Sequence, residues 1–376
     1  MQFPTDYAEI LKRIETVNPV SYGRTRNFID GDVTYLSPYI SRGVISVKQV
    51  AEAMFAKGYT FSEMEKFIQQ LAWREYFQRT WQQLEDDMFD DIRRSNSGIK
   101  HRRLQQAIVT ATTGIVSVDK AIQQLYETGY MHNHVRMYVA SIACNIGKAY
   151  WQQPSQWMYY HLLDGDLASN TCSWQWVAGS FSSKKYYCNQ ENINRYTFSD
   201  QQNTFLDRSY GELTAMPVPT VLEETISTSL FASLPGFEKQ LTLKNKLPLL
   251  IYNSSNVDPL WRSNENANRV LLIEPSHFKK FPVSPKVLQF ILDLSKNIKG
   301  IQLFVGEVSE IPGIHQFPVI YSKEHPAFIH YPGKKDERDW LFPEVKGYHK
   351  SFFQFWKACL TQMNKANDRQ LALPFA

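Results

Sequence analysis

Apolar residues recur at helical intervals through roughly the first two hundred positions of this chain, then give way to short contiguous apolar runs. "VKQVAEAMFAKG", residues 47–58, closes on Gly58, which suits the left-handed position just past a helix end. "TFSEMEKFIQQLAWREYFQRTWQQLEDD", residues 60–87, opens on Thr/Ser capping candidates and sets Phe67, Leu71, Tyr76 or Phe77 and Leu84 along one side. "HNHVRMYVASIACNIGKAYW", residues 132–151, spaces Val135, Tyr138 or Val139, Ile142 and Ile146 as a third amphipathic helix does. The pattern predicts a nearly all-helical first domain over 1–213.

Residues 214–247 change texture to a Pro-, Ser- and Thr-rich stretch that reads as a connector draped over the surface. Beyond it "LPLLIYN", "NRVLLIEP", "SPKVLQFILDLSKNIKG", "IQLFVGEV" and "FPVIYS" read as strand, strand, helix, strand, strand. That order predicts a small α/β domain over 248–376 with a largely parallel, Rossmann-like sheet. A chain of 376 residues suits two domains.

Composition narrows the classes. No apolar run is long enough to cross a bilayer, and the N-terminus lacks a basic segment followed by an apolar one, so a cytoplasmic protein is expected. Cys144, Cys172, Cys188 and Cys359 include no C-x-x-C pair; they read as reduced thiols, and no metal site is implied. Neither G-x-G-x-x-G nor a Walker-type loop occurs. Aromatic residues make up 14% of the chain, with 9 Trp, 20 Tyr and 23 Phe, more ring surface than packing ordinarily uses; stacking on a flat ligand is one outlet. The net charge of +4 is weak evidence for a polyanionic partner. A nucleic-acid footprint would have to be local, and "RRSNSGIKHRR", with Arg93, Arg94, Lys100, His101, Arg102 and Arg103, is the candidate. The same stretch equally suits a solvated loop balancing the acidic "EDDMFDD" before it.

"HLLDGDLASNTCSWQWVAGS", residues 161–180, concentrates the candidate chemistry. A helix from Asp166 onward puts Asp166, Asn170 and Trp174 on one stripe, since residues four apart are neighbours, and turns Trp176 about 200° away from Trp174. One ring then lines a buried site and the other meets the outside. A carboxylate buried beside an amide and an indole needs a cation, for which Arg136 is the candidate; the same pair would serve equally as a core ion pair joining two helices.

Five stretches, "YGRTRNF", "TYLSPYISRGVIS", "QQLAWREYF", "GYMHNHVRMYVAS" and "DGDLASNTCSWQW", follow one another over roughly residues 20–190 and resemble the flavin-binding helical domain of the DNA photolyase and cryptochrome family. The resemblance implies an all-helical domain holding FAD in a folded conformation, open to DNA. It implies that Tyr22, Arg26, Thr34 and Ser37 hold the diphosphate and ribitol, that Arg136 and Asp164 pair beside the flavin, and that Asp166 lies at the ribityl and adenine end. Asn170 matches the position facing flavin N5, where a neutral amide favours reduced or radical forms. Trp174 and Trp151 match the inner and middle members of a photoreducing tryptophan chain, whose outer member has no counterpart near Gly98. Trp73 and Trp176 match aromatics that clamp a flipped-out pyrimidine dimer, with Arg74, Asn133, His134 and Met137 lining the same cavity.

Two departures qualify the resemblance. Gln70 replaces a glutamate that in dimer-repairing members bonds the lesion, keeping a hydrogen bond but no proton to give, and His134 replaces an arginine. Family members ordinarily begin with an α/β antenna domain, whereas here an α/β segment follows the helical one and assigns no antenna pigment. The expected function is repair of pyrimidine dimers in DNA by blue-light-driven electron transfer from FAD, by a monomer reaching DNA through a local basic rim. The alternative is a cryptochrome-like light sensor that reports its flavin state to a protein partner through the C-terminal domain.

Overall fold

The computed structural model describes residues 2–236 and 241–368, so positions 237–240 of the expected connector lie outside the described residues. The chain forms two compact units that do not follow a single cut in sequence. One comprises residues 21–33 and 84–230; the other comprises 2–20, 34–83 and the segment from 231 onward.

The first unit is helical. Helices Val116–Thr128, Asn133–Ser141, Gln152–His161, Leu167–Ala178 and Gln190–Thr197 surround a core that includes Ile122, Tyr138, Ile142, Trp151, Trp157 and Trp174. Their ends are set by local chemistry. The Asp166 carboxylate accepts from the Ser169 N–H at 2.7 Å and caps the Leu167–Ala178 helix, which stops at Gly179 with φ of 86°. His132 Nδ1 accepts from the His134 N–H at 3.2 Å and caps Asn133–Ser141. That helix continues into a π turn, Ile142–Ile146, instead of the regular helix that the apolar spacing predicts. The turn brings in the buried Asn145, whose amide donates to Val177 O at 2.9 Å and Tyr186 O at 2.7 Å, and so ties down the strap after the Trp176 helix.

The second unit carries the sheet. Its five parallel strands lie in the order Ile301–Val305, Asn268–Ile273, Leu249–Tyr252, Ile320–Lys323, Lys334–Asp336, so the first strand in sequence is central and the order reverses beside it. All four residues of Leu249–Tyr252 are buried, which is why that strand reads as an unbroken apolar run. The long helix Phe61–Leu84, kinked at Met64, belongs to this unit up to Gln83. Its buried Glu75 accepts from the backbone N–H of Leu341 at 2.6 Å and of Phe342 at 3.2 Å, and Arg79 lies 3.9 Å over the Trp340 ring while pairing with Glu75 at 3.4 Å. The architecture is α plus α/β, as the hydrophobic pattern predicts. No helix among the described residues is long and apolar enough to cross a membrane.

Candidate functional site

Within the helical unit, the Leu167–Ala178 helix organises the candidate residues. Arg136 donates from one guanidinium nitrogen to both Asp164 oxygens, at 3.0 and 2.9 Å, and from Nε to Met131 O at 2.8 Å; Tyr130 lies 5.3 Å under the guanidinium. The Asp164 side chain is almost wholly buried, so the fork holds a charge that water cannot solvate. Asp166 spends one oxygen on the helix cap. Asn170, one turn on, donates Nδ2 to Ser155 O at 3.0 Å, which fixes its carboxamide and makes Oδ1 the acceptor end. Between them the buried Ser169 hydroxyl has no hydrogen-bond partner.

The two tryptophans, two residues apart on this helix, face opposite ways as the spacing predicts. Trp174 is 3% exposed in the core, whereas Trp176 is 38% exposed, with Tyr186 5.9 Å away. Trp151 is buried and donates Nε1 to Asp91 Oδ1 at 2.8 Å. Gln175, between the two indoles and fully buried, donates to Met88 O and Asp90 O at 2.9 Å each and accepts from the Ile92 N–H at 3.0 Å. Asp91 and Gln175 escape sequence reasoning because each lone polar residue looks like ordinary loop or helix filling.

The remaining candidates of this unit gather at the start of the Asn133–Ser141 helix. Burial raises the phenol pKa of Tyr22, against an opposing effect of Arg26 nearby. Asn27 O meets His134 Nδ1 at 2.9 Å. Burial pushes His132 down to about 4, with His134 and Arg136 adding to the shift, and pushes His134 down as well, so both rings are neutral near pH 7. Asn133 is exposed and Met137 packs on the core. The basic stretch lies beside the end of the Trp176 helix: the Arg93 N–H donates to Ser180 O at 2.9 Å, Arg94 to Ser183 O at 3.3 Å, Lys185 to Ser97 O at 2.6 Å, and Arg93 sits 4.8 Å over Phe181.

Thr34, Ser37, Gln70, Trp73 and Arg74 belong to the other unit. Ser37 opens the short helix Ser37–Ser41, and Gln70, Trp73 and Arg74 lie partly buried on Phe61–Leu84. Trp73 stacks on Phe352 of the helix Phe352–Asp368, with ring centroids 3.6 Å apart and planes 8° apart.

The donor set of the helical unit suits a polar, planar cofactor: a buried ion pair, an oriented amide oxygen, an unsatisfied buried hydroxyl and indoles on two sides of one helix. Residues 67–248 match the family described as the FAD-binding domain of DNA photolyase. The deoxyribodipyrimidine photo-lyase of Synechococcus sp. is 33% identical over 169 residues, 42% of this chain and 35% of that one. Cryptochrome DASH of Idiomarina loihiensis is 30% identical over 212 residues, 54% of this chain and 46% of that one. Among solved structures, a cryptochrome of Synechocystis sp. overlaps 59% of this chain and 49% of its own, at 23% identity and a TM-score of 0.48. The chain thus spans between about a third and a half of the length of these relatives. By this match, and by its likeness to the photo-lyase and to cryptochrome DASH, the chain carries the FAD-binding domain of the photolyase/cryptochrome family.

Proposed function

We propose that this protein is a blue-light-dependent flavoprotein that repairs pyrimidine dimers in DNA by photoinduced electron transfer. When bound and reduced, FAD supplies the electron that opens the dimer and takes it back afterwards. The chain's own work is to bind, orient and exclude water. The Arg136–Asp164 fork gives the cofactor a rigid, charge-balanced wall, and Asn170 offers an acceptor oxygen without a net charge. Tyr22 and Arg26 are assigned to its diphosphate and ribitol, and Asp166 to its ribityl and adenine end.

The observation that carries the DNA reading is the exposed Trp176 on a helix whose following segment, at Ser180 and Ser183, bonds Arg93 and Arg94 of the basic stretch and continues into Lys184 and Lys185. An exposed flat ring on the same segment as a basic stretch suits an unstacked base and its phosphate backbone. The test is direct: reduce the flavin-loaded protein, add dimer-containing single-stranded and duplex DNA, illuminate with blue light and measure restored thymines. Restoration that depends on light supports repair; none, with the flavin reduced, rejects it.

A second reading, light sensing without repair, is favoured by one observation. Phe352 covers a face of Trp73, the other aromatic assigned to the dimer, and Gln70 one turn away cannot deliver a proton. Under that reading the same illumination changes the flavin state and leaves dimers intact.

A further inference from the structure

Three lysines of the helical unit come together just past the π turn Ile142–Ile146. The Lys100 N–H donates to Lys148 O at 2.9 Å and the Tyr150 N–H to His101 O at 2.8 Å, so the loop carrying Lys100 runs beside the segment carrying Lys148. Lys148 Nζ donates to Asn145 O at 2.6 Å, and the amide of the same Asn145 donates at 2.7 Å to the carbonyl of Tyr186, the residue after Lys185. Lys185 Nζ in turn donates to Ser97 O at 2.6 Å, in the loop that leads to Lys100. Lys100 is exposed, and Lys148 and Lys185 are half-buried.

No carboxylate among the described residues pairs with these three ammonium groups. Half-buried cations elsewhere do have one: Lys323 meets Asp258 at 2.7 Å and Asp339 at 3.3 Å, and Arg338 meets Glu324 at 2.8 Å. Here the partners are neutral carbonyls, which use one of the three N–H donors on Lys148 and on Lys185 and leave two on each. Burial, and then the charges of Lys185 and Lys100, lower the Lys148 pKa, and burial lowers that of Lys185. Like charges crowded out of water are relieved by an anion. The backbone is strained at the same place: Lys148 holds φ at 59°, a left-handed conformation uncommon for a long side chain. Strain of this kind collects at ligand sites, as π turns do.

We propose that Lys100, Lys148 and Lys185 form a phosphate-binding notch, in which one phosphate group accepts from the free N–H donors and neutralises the cluster. Phosphate suits the notch because it is compact, carries several acceptor oxygens and matches ammonium groups as point charges. The group belongs either to a small phosphate in solution or to a nucleic-acid backbone. Arg102, Arg103 and Lys184, exposed on the same two segments, favour the backbone, since a strand brings further phosphates to them. Tyr186 lies 5.9 Å from Trp176 between ring centroids, which ties the notch to that exposed indole. The notch itself needs neither flavin nor lesion; its backbone source deepens the DNA reading above and rests on it.

The full chain is tested in the dark, in two arms. In the first, its melting temperature is followed while sodium phosphate replaces sodium chloride at constant pH and ionic strength. In the second, an undamaged single-stranded oligonucleotide is titrated by fluorescence anisotropy at several chloride concentrations. The variants are Lys148→Asn, which keeps a residue at ease in the left-handed region, and Lys100→Gln, which gives up no side-chain hydrogen bond. With a backbone phosphate in the notch, each variant binds the oligonucleotide several-fold more weakly, and the slope of log K against log salt falls by about 0.7. With a small phosphate, the wild type melts higher in phosphate than in chloride, the variants lose that gain, and the oligonucleotide slopes stay unchanged. Unchanged slopes, with the gain either absent from the wild type or retained by the variants, overturn the notch. Lys120→Gln, on the exposed side of the Val116–Thr128 helix, matches the wild type in both arms; an equal loss there makes the effect one of net charge and also overturns it. Failure of dimer repair with the notch intact removes the reading above and leaves this one standing.

Discussion

Trp73 and Phe352 lie face to face, their ring centroids 3.6 Å apart and their planes within 8°. The stack is sealed by neighbours: Trp356 lies 6.3 Å from Phe352 at 12°, and Tyr76 meets Phe352 edge-on at 5.9 Å. Phe352→Leu keeps the apolar volume and loses the ring stack, at a cost of about 1 kcal/mol. Trp73 should then become more accessible to a fluorescence quencher. If Trp73 clamps a flipped base, affinity for dimer-containing DNA rises in this variant; if affinity is unchanged, Trp73 serves the packing of this unit alone.

Asp164→Ala leaves Arg136 without its carboxylate in a largely buried setting. Losing one partner of a buried pair costs about 3–5 kcal/mol. Urea denaturation should register most of that loss, and flavin retention should fall with it. Asp164→Asn keeps the shape and one acceptor oxygen, so its stability falls less, and the difference between the two variants measures the charge.

Asn170→Asp replaces the amide that donates to Ser155 O with a carboxylate that repels it. The cost to the flavin-free protein is about 1–3 kcal/mol. In the loaded protein the added negative charge disfavours an anionic reduced cofactor, so the form that accumulates under light should change. The absorption spectrum during illumination checks it.

Sequence alone gave access to much of this. The Leu167–Ala178 helix is legible because Asp166 caps it and Gly179 ends it, and the opposite fates of Trp174 and Trp176 follow from helical geometry. The apolar strands are legible for the same local reason. The strand Lys334–Asp336 is not, because a short, charged edge strand has no apolar pattern to read. The π turn Ile142–Ile146 is hidden too, since its apolar spacing matches an ordinary helix. Asp91 and Gln175 stay silent because their partners lie 60 and 87 residues away. The same holds for Glu75, whose hydrogen bonds reach Leu341 and Phe342.

His132 supplies a pH dependence. Its folded pKa, about 4, lies below the ordinary 6.5, so the unfolded chain binds more protons between those values. The contribution is fully present above about pH 6.5 and is lost as pH falls towards 4, up to about 3 kcal/mol. His277, pushed down to about 3 by burial, acts in the same direction in the other unit. His132→Asn offers an amide oxygen as cap acceptor in place of Nδ1 and removes the titration. Denaturation at pH 7 and pH 4.5 should show a smaller drop in this variant than in the wild type; an equal drop would assign the pH dependence elsewhere.

The central claim is that the helical unit holds FAD against Arg136, Asp164 and Asn170. The measurement that meets it most directly is the visible absorption spectrum and flavin content of the purified protein, beside Arg136→Ala. The wild type should be yellow, with FAD in stoichiometric amount and a spectrum that bleaches under blue light with a thiol present, and Arg136→Ala should lose most of its flavin. A wild-type protein that stays colourless after incubation with FAD would contradict it.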